Sequence, residues 1–107
     1  MNTLATLLSE IPYDDQKMLD EKFKLLEIKL KNIFLKIQNC LNFEEAEYYL
    51  ALLGQIQNIL VIIHLKNQRN IPKNLWKFAR DFDRVDDIDE QKKLFNEIKN
   101  KRYSLQK

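Results

Sequence analysis

Glycine, proline and cysteine are scarce in this sequence of 107 residues, which has one glycine, two prolines and one cysteine. So few turn-forming residues favour long helices joined by short loops, and we expect almost no strand. One glycine also excludes a phosphate-binding glycine loop, so we do not expect nucleotide hydrolysis. Cys40 cannot form an internal disulfide, and no basic-then-apolar leader opens the sequence. We therefore predict a reducing, cytoplasmic setting.

Charge is missing from one long stretch, Tyr48–Leu65, although 32% of the residues in the chain are charged. The stretch is long enough to cross a bilayer, but Gln55, Gln57, Asn58 and His64 would each be costly in hydrocarbon. We therefore predict a helix buried by other parts of the protein, with no membrane as partner. A chain of this length forms one core and leaves no room for a cofactor domain.

Two long helices are predicted in the first two thirds of the chain. The first begins at Asp14 or Asp15 and runs to about Cys40, because apolar residues recur every three or four positions. Its predicted inner side consists of Leu19, Phe23, Leu26, Leu30, Ile33, Ile37 and Leu41. Asn42 and Glu45 form a capping pattern for the second helix, which continues to about residue 66. The polar residues predicted to share its exposed arc are Glu44, Glu47, Gln55 and Asn58.

Three shorter helices complete the prediction. One covers Thr3–Glu10 and ends before Pro12, because the residue preceding a proline is disfavoured in helical geometry. Another covers Lys73–Phe82, and the last begins after Asp87, which can cap it. The chain is thus predicted to be all-α, a compact bundle of about four main helices plus a short N-terminal helix, forming a single domain over residues 1–107.

Candidate catalytic residues are few. A lone histidine in an apolar helix, such as His64, is more often a hydrogen-bonded core residue than a general base. Cys40 is expected to be a free, buried thiol rather than a nucleophile. The acidic segment 81–90 resembles a calcium loop, but it lacks the required glycine and has Val85 at a ligand position. We predict no enzyme activity, no cofactor and no metal.

The surface charge is arranged in blocks, although the formal net charge is only +2. On the first long helix, lysines recur every seven residues in two rows, with Ile28 and Leu35 between them. The rows are Lys17, Lys24 and Lys31, and Lys22, Lys29 and Lys36. One interpretation is a solubilising surface with two isolated apolar residues. The other is a docking face with an apolar centre for another subunit and lysine margins for an anion.

A second basic block has no acidic residue within it and contains interleaved aromatic residues, Trp76 and Phe78. Its cations are Lys66, Arg69, Lys73, Lys77 and Arg80. Phosphate neutralisation combined with base stacking on aromatic rings is typical of single-strand binding. Trp76 is also spaced as a core residue with Leu75 and Ala79, so both interpretations stay open.

The central and C-terminal parts of the chain show a family resemblance. The acidic and aromatic entry 45–50, the pair Gly54-Gln55, the basic exit at Lys66 and the later segments 94–95 and 101–103 carry it. Over roughly residues 43–104, this pattern resembles the C-terminal helical bundle of CRISPR Cascade large subunits. A chain of 107 residues starting at Met1 is similar to the free small subunit of such complexes.

The resemblance implies a non-enzymatic subunit of an RNA-guided interference complex. Such a subunit assembles in several copies with other protein subunits and contacts guide RNA or the target or displaced DNA strand. The implied nucleic-acid contacts are Lys66, Arg69, Lys73, Lys77 and Arg80, followed by Lys22, Lys29 and Lys36. Ile28 and Leu35 would contact protein. The alternative function is a helical interaction module, an accessory or inhibitor protein that docks on one protein partner without nucleic acid.

Overall fold

The computed structural model describes residues 16–67 and 71–103, and in these residues all the regular structure is helical. The helices are α1 (Gln16–Gln38), α2 (Phe43–Asn67), α3 (Lys73–Asp81) and α4 (Ile88–Lys99). The prediction of an all-α bundle with four main helices is confirmed. The predicted N-terminal helix lies outside the described residues.

The two long helices organise the bundle. α1 and α2 pack against each other, and each of them also contacts both α3 and α4. Only residues 39–42 connect α1 to α2. Such a short connection cannot wrap around the bundle, so the two helices must be neighbours. The shorter helices therefore lie on a central helical pair, and the other described helices leave one face of α1 uncovered.

The inner side of α1 matches its sequence pattern, with one exception. The buried residues at the predicted positions are Leu19, Phe23, Leu26, Leu30, Ile33 and Ile37. Leu41 was predicted to join them, but its side chain is 83% exposed. The helix ends at Gln38, so the period of 3.6 residues no longer applies at Leu41, and the prediction for this residue is wrong.

α2 supplies the centre of the core. The uncharged stretch is helical, as predicted, and its fully buried residues are Leu50, Leu53, Ile56, Ile59, Leu60 and Ile63. Residues Phe43–Leu65, with a mean hydropathy of 1.5, are also long and apolar enough to cross a membrane by length and composition. The other three helices cover the buried side of α2, as expected for the core helix of a bundle.

The start of α2 is capped as the sequence predicts. The backbone N–H of Glu45 donates a hydrogen bond to Oδ1 of Asn42 over 2.9 Å. The Glu45 carboxylate accepts a hydrogen bond from the backbone N–H of Leu41, also over 2.9 Å. The reciprocal bond thus goes to the residue before the cap rather than to the cap itself, and it fixes the turn between α1 and α2.

Gln57 is a buried polar residue that joins α2 to the connector between α3 and α4. Its Nε2 donates to the carbonyl oxygens of Ala79 (3.2 Å) and Phe82 (2.6 Å). Its Oε1 accepts from the backbone N–H of Val85 at 2.9 Å. A helix end and a buried loop leave backbone groups without partners, and one side chain here satisfies three of them.

The only glycine explains why this connector can approach α2. Gly54 is buried one turn before Gln57, and a Cβ atom at this position would lie 3.2 Å from the backbone nitrogen of Asp86. Such a contact is tighter than most Cβ contacts, so any larger side chain would push the connector away from α2. Gly54 and Gln57 together hold the segment that carries the buried Val85.

α4 is capped at its start and tied to α1 at its end. The Asp87 carboxylate accepts hydrogen bonds from the backbone N–H groups of Asp89 and Glu90, which confirms the predicted cap. At the other end, Nζ of Lys99 donates to the carbonyl oxygens of Gln38 and Cys40. Lys99 therefore places its charge at the C-terminus of α1 as well as in the last turn of its own helix.

An aromatic cluster packs the C-terminal segment onto α1 and α3. The Tyr103 ring lies 5.9 Å from that of Phe34 and 5.1 Å from that of Phe82, both in edge-to-face geometry. Burial raises the pKa of the Tyr103 hydroxyl well above its usual value, and the nearby carboxylate of Asp81 adds to the shift. Tyr103 therefore remains neutral and behaves as a core residue.

The three hydrogen bonds of Gln57 should be measurable as stability. Gln57→Leu keeps the size of the side chain but leaves three buried backbone groups without partners. We expect the free energy of unfolding in urea to fall by about 2–4 kcal/mol. Gln55→Leu, at an exposed position on the same helix, is the matched control and should change it by less than about 0.5 kcal/mol. Equal effects of the two substitutions would show that the hydrogen bonds of Gln57 contribute little.

Candidate functional site

The outward side of α1 carries apolar residues that no other described helix covers. Leu25 is 53% exposed, and Ile28 and Leu35 are each 57% exposed. In a heptad pattern (positions a to g) that starts with Leu25 at a, Ile28 and Leu35 occupy the d positions. Asn32, which is also exposed, occupies the second a position. We call Leu25, Ile28, Asn32 and Leu35 the outer seam. It lies on the side of α1 opposite to the buried stripe, so packing of the bundle does not require these residues to be apolar.

Lysines line both margins of the outer seam. At one margin are Lys17, Lys24 and Lys31, and at the other are Lys22, Lys29 and Lys36. Lys22 and Lys29 are half-buried against the bundle, and the other four are exposed. In the described part of the chain, the ion pairs within 4.0 Å are Lys77–Asp81 and Arg84–Asp86, and none involves a lysine of these rows. The seam is therefore an apolar strip between two rows of lysines that form no close ion pair within the described residues.

Other exposed apolar residues are distributed over several elements. They are Met18, Leu41, Tyr48, Leu65 and Ile88. Tyr48 and Leu65 share the exposed stripe of α2 with Glu44, Glu47, Gln55 and Asn58, so the predicted polar arc also contains apolar residues. These two residues are separated by almost the full length of the helix, and they do not form a continuous strip. Isolated exposed apolar side chains of this kind are common on protein surfaces.

The second predicted basic block is only partly within the described structure. Arg69 lies outside it, and so does the side chain of Lys66, although the backbone at position 66 is part of α2. Lys73, Lys77 and Arg80 line a cleft of about 330 Å³ beside Trp76. The Lys77 ammonium lies 3.3 Å from the Asp81 carboxylate and 4.6 Å from the centre of the Tyr103 ring, so part of its charge is compensated.

The interleaved aromatic residues of this block have structural contacts. Phe78 is fully buried and packs edge-to-face on Phe34 at 6.1 Å. Trp76 is half-buried against the core and stacks on the His64 ring, with 4.4 Å between the ring centres. The stacking face of Trp76 is thus occupied by a residue of the same chain. Of the two interpretations of Trp76, the structure favours the packing role.

The candidate catalytic residues have no described catalytic partner. His64 is exposed and not in the core, so its predicted burial is wrong: its ring stacks on Trp76 at the surface, and the neighbouring Ile63 is the residue that enters the core. Cys40 is free and buried, as predicted, and its thiol donates to the carbonyl oxygen of Lys36 over 3.2 Å. Within residues 16–67 and 71–103, no group of histidine, cysteine and carboxylate side chains gathers as metal ligands would.

The carboxylates of the acidic connector between α3 and α4 form local hydrogen bonds and ion pairs. Arg84 donates two hydrogen bonds to the carboxylate of Asp86, at 3.2 and 2.9 Å. This contact lowers the pKa of Asp86 and raises that of Arg84. Asp87 caps α4, Asp81 pairs with Lys77, and the Glu90 carboxylate accepts a hydrogen bond from the backbone N–H of Asp83 at 3.2 Å.

Among residues 16–67 and 71–103, no helix covers the charged outward face of α1, so this face is a preformed surface that a protein partner could contact with little rearrangement. A family model described as "Immunity protein CdiI-like" matches residues 1–100. Because the match covers almost the whole chain, the chain belongs to the CdiI-like immunity protein family. No curated protein and no solved structure gave a match.

Family membership shows that the predicted relationship to a CRISPR Cascade small subunit is wrong. Buried positions explain the error: Ala46, Leu50 and Leu94 are core residues, and Gly54 packs against the connector. Any bundle with a buried central helix repeats such a pattern, so the pattern carries little information about function.

The family match also bears on the predicted partners. It does not support a subunit that contacts guide RNA or a DNA strand, whereas the expectation of a protein partner agrees with the family. The nucleic-acid roles given to the basic residues stay predictions.

The sequence pattern predicts a docking face with Ile28 and Leu35, but it did not lead us to Leu25 and Asn32. The heptads counted from Lys17 contain both residues, because lysines border the seam at e positions 22, 29 and 36 and at g positions 17, 24 and 31. Leu25 was overlooked because Leu26, which follows it, belongs to the inner stripe. Two stripes on one helix are easily confused when their residues are adjacent in sequence.

If the residues of the outer seam do not contribute to packing of the bundle, substitutions there should change the stability of the protein only slightly. We expect Ile28→Lys and Leu35→Lys to change the free energy of unfolding by about 0.5 kcal/mol or less, as measured by urea denaturation. Leu30→Lys, on the buried side of the same helix, should lower it by more than about 3 kcal/mol, because a charge would enter the core. Strong destabilisation by Ile28→Lys would mean that the seam supports the fold of this chain.

Proposed function

We propose that this chain is an immunity protein that neutralises a toxin of contact-dependent inhibition by binding to it in the cytoplasm, without catalysing a reaction. The observation that carries the proposal is the family match over residues 1–100. It agrees with the alternative function given by the sequence, an inhibitor protein that docks on one protein partner.

The outer face of α1 supports this function physically. A helix that is already formed loses little conformational entropy on binding, so more of the contact energy appears as affinity. Apolar residues in the centre of an interface usually contribute most of the binding energy, and charged residues around them mainly increase the association rate. The exposed Leu25, Ile28 and Leu35 between two rows of lysines have this arrangement.

Binding without chemistry agrees with the described candidate residues. Nucleophilic or acid–base catalysis requires an activated side chain next to a positioned partner. His64 stacks on Trp76, and the thiol of Cys40 is buried and donates to a backbone carbonyl. A cytoplasmic location is supported by the free thiol of Cys40, which is typical of proteins in a reducing compartment.

Stoichiometry distinguishes a binder from an enzyme. The cognate toxin domain would be titrated with the purified protein, and the remaining toxin activity would be measured. A tight binder should reduce this activity linearly to zero at one equivalent, and a complex of the two proteins should elute together from a sizing column. Bacteria that express the toxin domain should grow when they also express this chain.

Removal of the candidate catalytic groups is the matched control. The variants His64→Ala and Cys40→Ala should protect as well as the natural protein at one equivalent, provided that circular dichroism shows that they are folded. Protection by much less than one equivalent, or loss of protection in folded His64→Ala, would contradict neutralisation by binding alone. Absence of both a complex and protection would contradict the immunity function.

A further inference from the structure

The pattern of charge around the outer seam indicates the chemistry of the partner. In a pair of helices that meet through positions a and d, the residues at e and g of each helix lie next to those of the other. On α1, lysine occupies three successive e positions and three successive g positions. The e residues are Lys22, Lys29 and Lys36, and the g residues are Lys17, Lys24 and Lys31. Any helix that packs along this seam therefore has its flanking residues close to lysines on both sides.

A second copy of this chain fits the seam poorly. In a parallel pair, e residues of one helix meet g residues of the other, and in an antiparallel pair e meets e and g meets g. Every such pairing would place lysine against lysine, except where Gln38 occupies the last g position. Like charges at these positions destabilise association, so the face discriminates against self-pairing.

Asn32 adds a second constraint on the occupant. It is the polar residue at an a position between Leu25 and Leu35, and it is exposed in this structure. Covering it with an apolar side chain would remove its amide from water without a hydrogen-bond partner, which is unfavourable. A polar residue at one a position is a known determinant of register in paired helices, so the matching helix should have a polar residue opposite Asn32.

These three observations lead to one inference, which rests on the proposed function. We propose that the outer face of α1 binds an amphipathic helix of the toxin, whose apolar seam is flanked on both sides by Asp and Glu. Leu25, Ile28 and Leu35 contact the apolar seam, and the lysine rows pair with the carboxylates. α1 is about 35 Å long, and one helix face of this length buries less surface than a standard protein interface. The contact therefore forms the centre of the interface, and neighbouring residues complete it.

A synthetic peptide can test this face without the toxin. The first probe is a helical peptide of three heptads with Leu at a and d, one Asn at the central a position, and Glu at every e and g. The second probe has the same sequence with Lys at every e and g. Fluorescence anisotropy should show binding of the acidic peptide to the full chain and at least about tenfold weaker binding of the basic peptide. Binding of the acidic peptide should weaken as salt is raised.

Two variants locate the contact on the seam. The double variant Ile28→Asp/Leu35→Asp should reduce the affinity for the acidic peptide by more than about tenfold. Leu65→Asp is the matched control, because Leu65 is an exposed apolar residue on α2, and it should leave the affinity unchanged within about twofold. Circular dichroism would verify that both variants are folded.

A charge swap tests the margins separately from the centre. Lys22→Glu/Lys29→Glu/Lys36→Glu should weaken binding of the acidic peptide and strengthen binding of the basic peptide. Lys73→Glu/Lys92→Glu/Lys101→Glu changes the net charge by the same amount at exposed lysines of other elements, so it should have a much smaller effect. Equal effects of the two triple variants would show that net charge, and not the margins of α1, determines binding.

The outcomes that overturn the inference are distinct from those that overturn the immunity function. No binding of the acidic peptide, or equal binding of both peptides, overturns the inference. So does self-association of the natural protein in sedimentation that Ile28→Asp/Leu35→Asp abolishes, since a second copy would then occupy the face. If the natural protein and this folded double variant neutralise the toxin equally well, the inference fails and the immunity function stands. If the natural protein does not neutralise the toxin, the immunity function itself fails.

Discussion

The burial of α2 is the constraint on which the rest of this fold depends. An uncharged helix of this length must be enclosed, and α1, α3 and α4 enclose it by covering its apolar side. The polar exception, Gln57, is satisfied by the connector that follows α3, so that the core contains no unpaired amide at this point. Because α1 turns its stripe from Leu19 to Ile37 towards α2, its opposite face is not covered by the helices that the structure describes.

The outward face of α1 links the fold to the proposed function. A helix used only to bury α2 needs one apolar stripe, and polar residues at all outward positions would improve its solubility. α1 has a second stripe, and the lysines at its margins disfavour pairing of this stripe with its own copy. An immunity protein must remain available for its toxin, so a surface that attracts a partner of opposite charge and repels itself suits that role.

Much of the fold could be predicted from the sequence, because it follows from local rules. The inner stripe of α1 follows from its 3.6-residue period, and the caps at Asn42 and Asp87 follow from side chains that accept backbone hydrogen bonds. Gln57 and Lys99 could not be predicted, because their partners are distant in sequence. The site was predicted in part: Ile28 and Leu35 could be located on an outward face, but the bundle pattern alone led to the wrong family.

Methyl nuclear magnetic resonance of the complex would test the central claim most directly. With Ile and Leu methyl groups labelled, addition of the toxin domain should shift the signals of Leu25, Ile28 and Leu35 and leave those of Leu65 and Ile88 unchanged, because these two lie on other exposed surfaces. Shifts confined to Leu65, with the α1 signals unchanged, would contradict the account and place the toxin on the exposed stripe of α2.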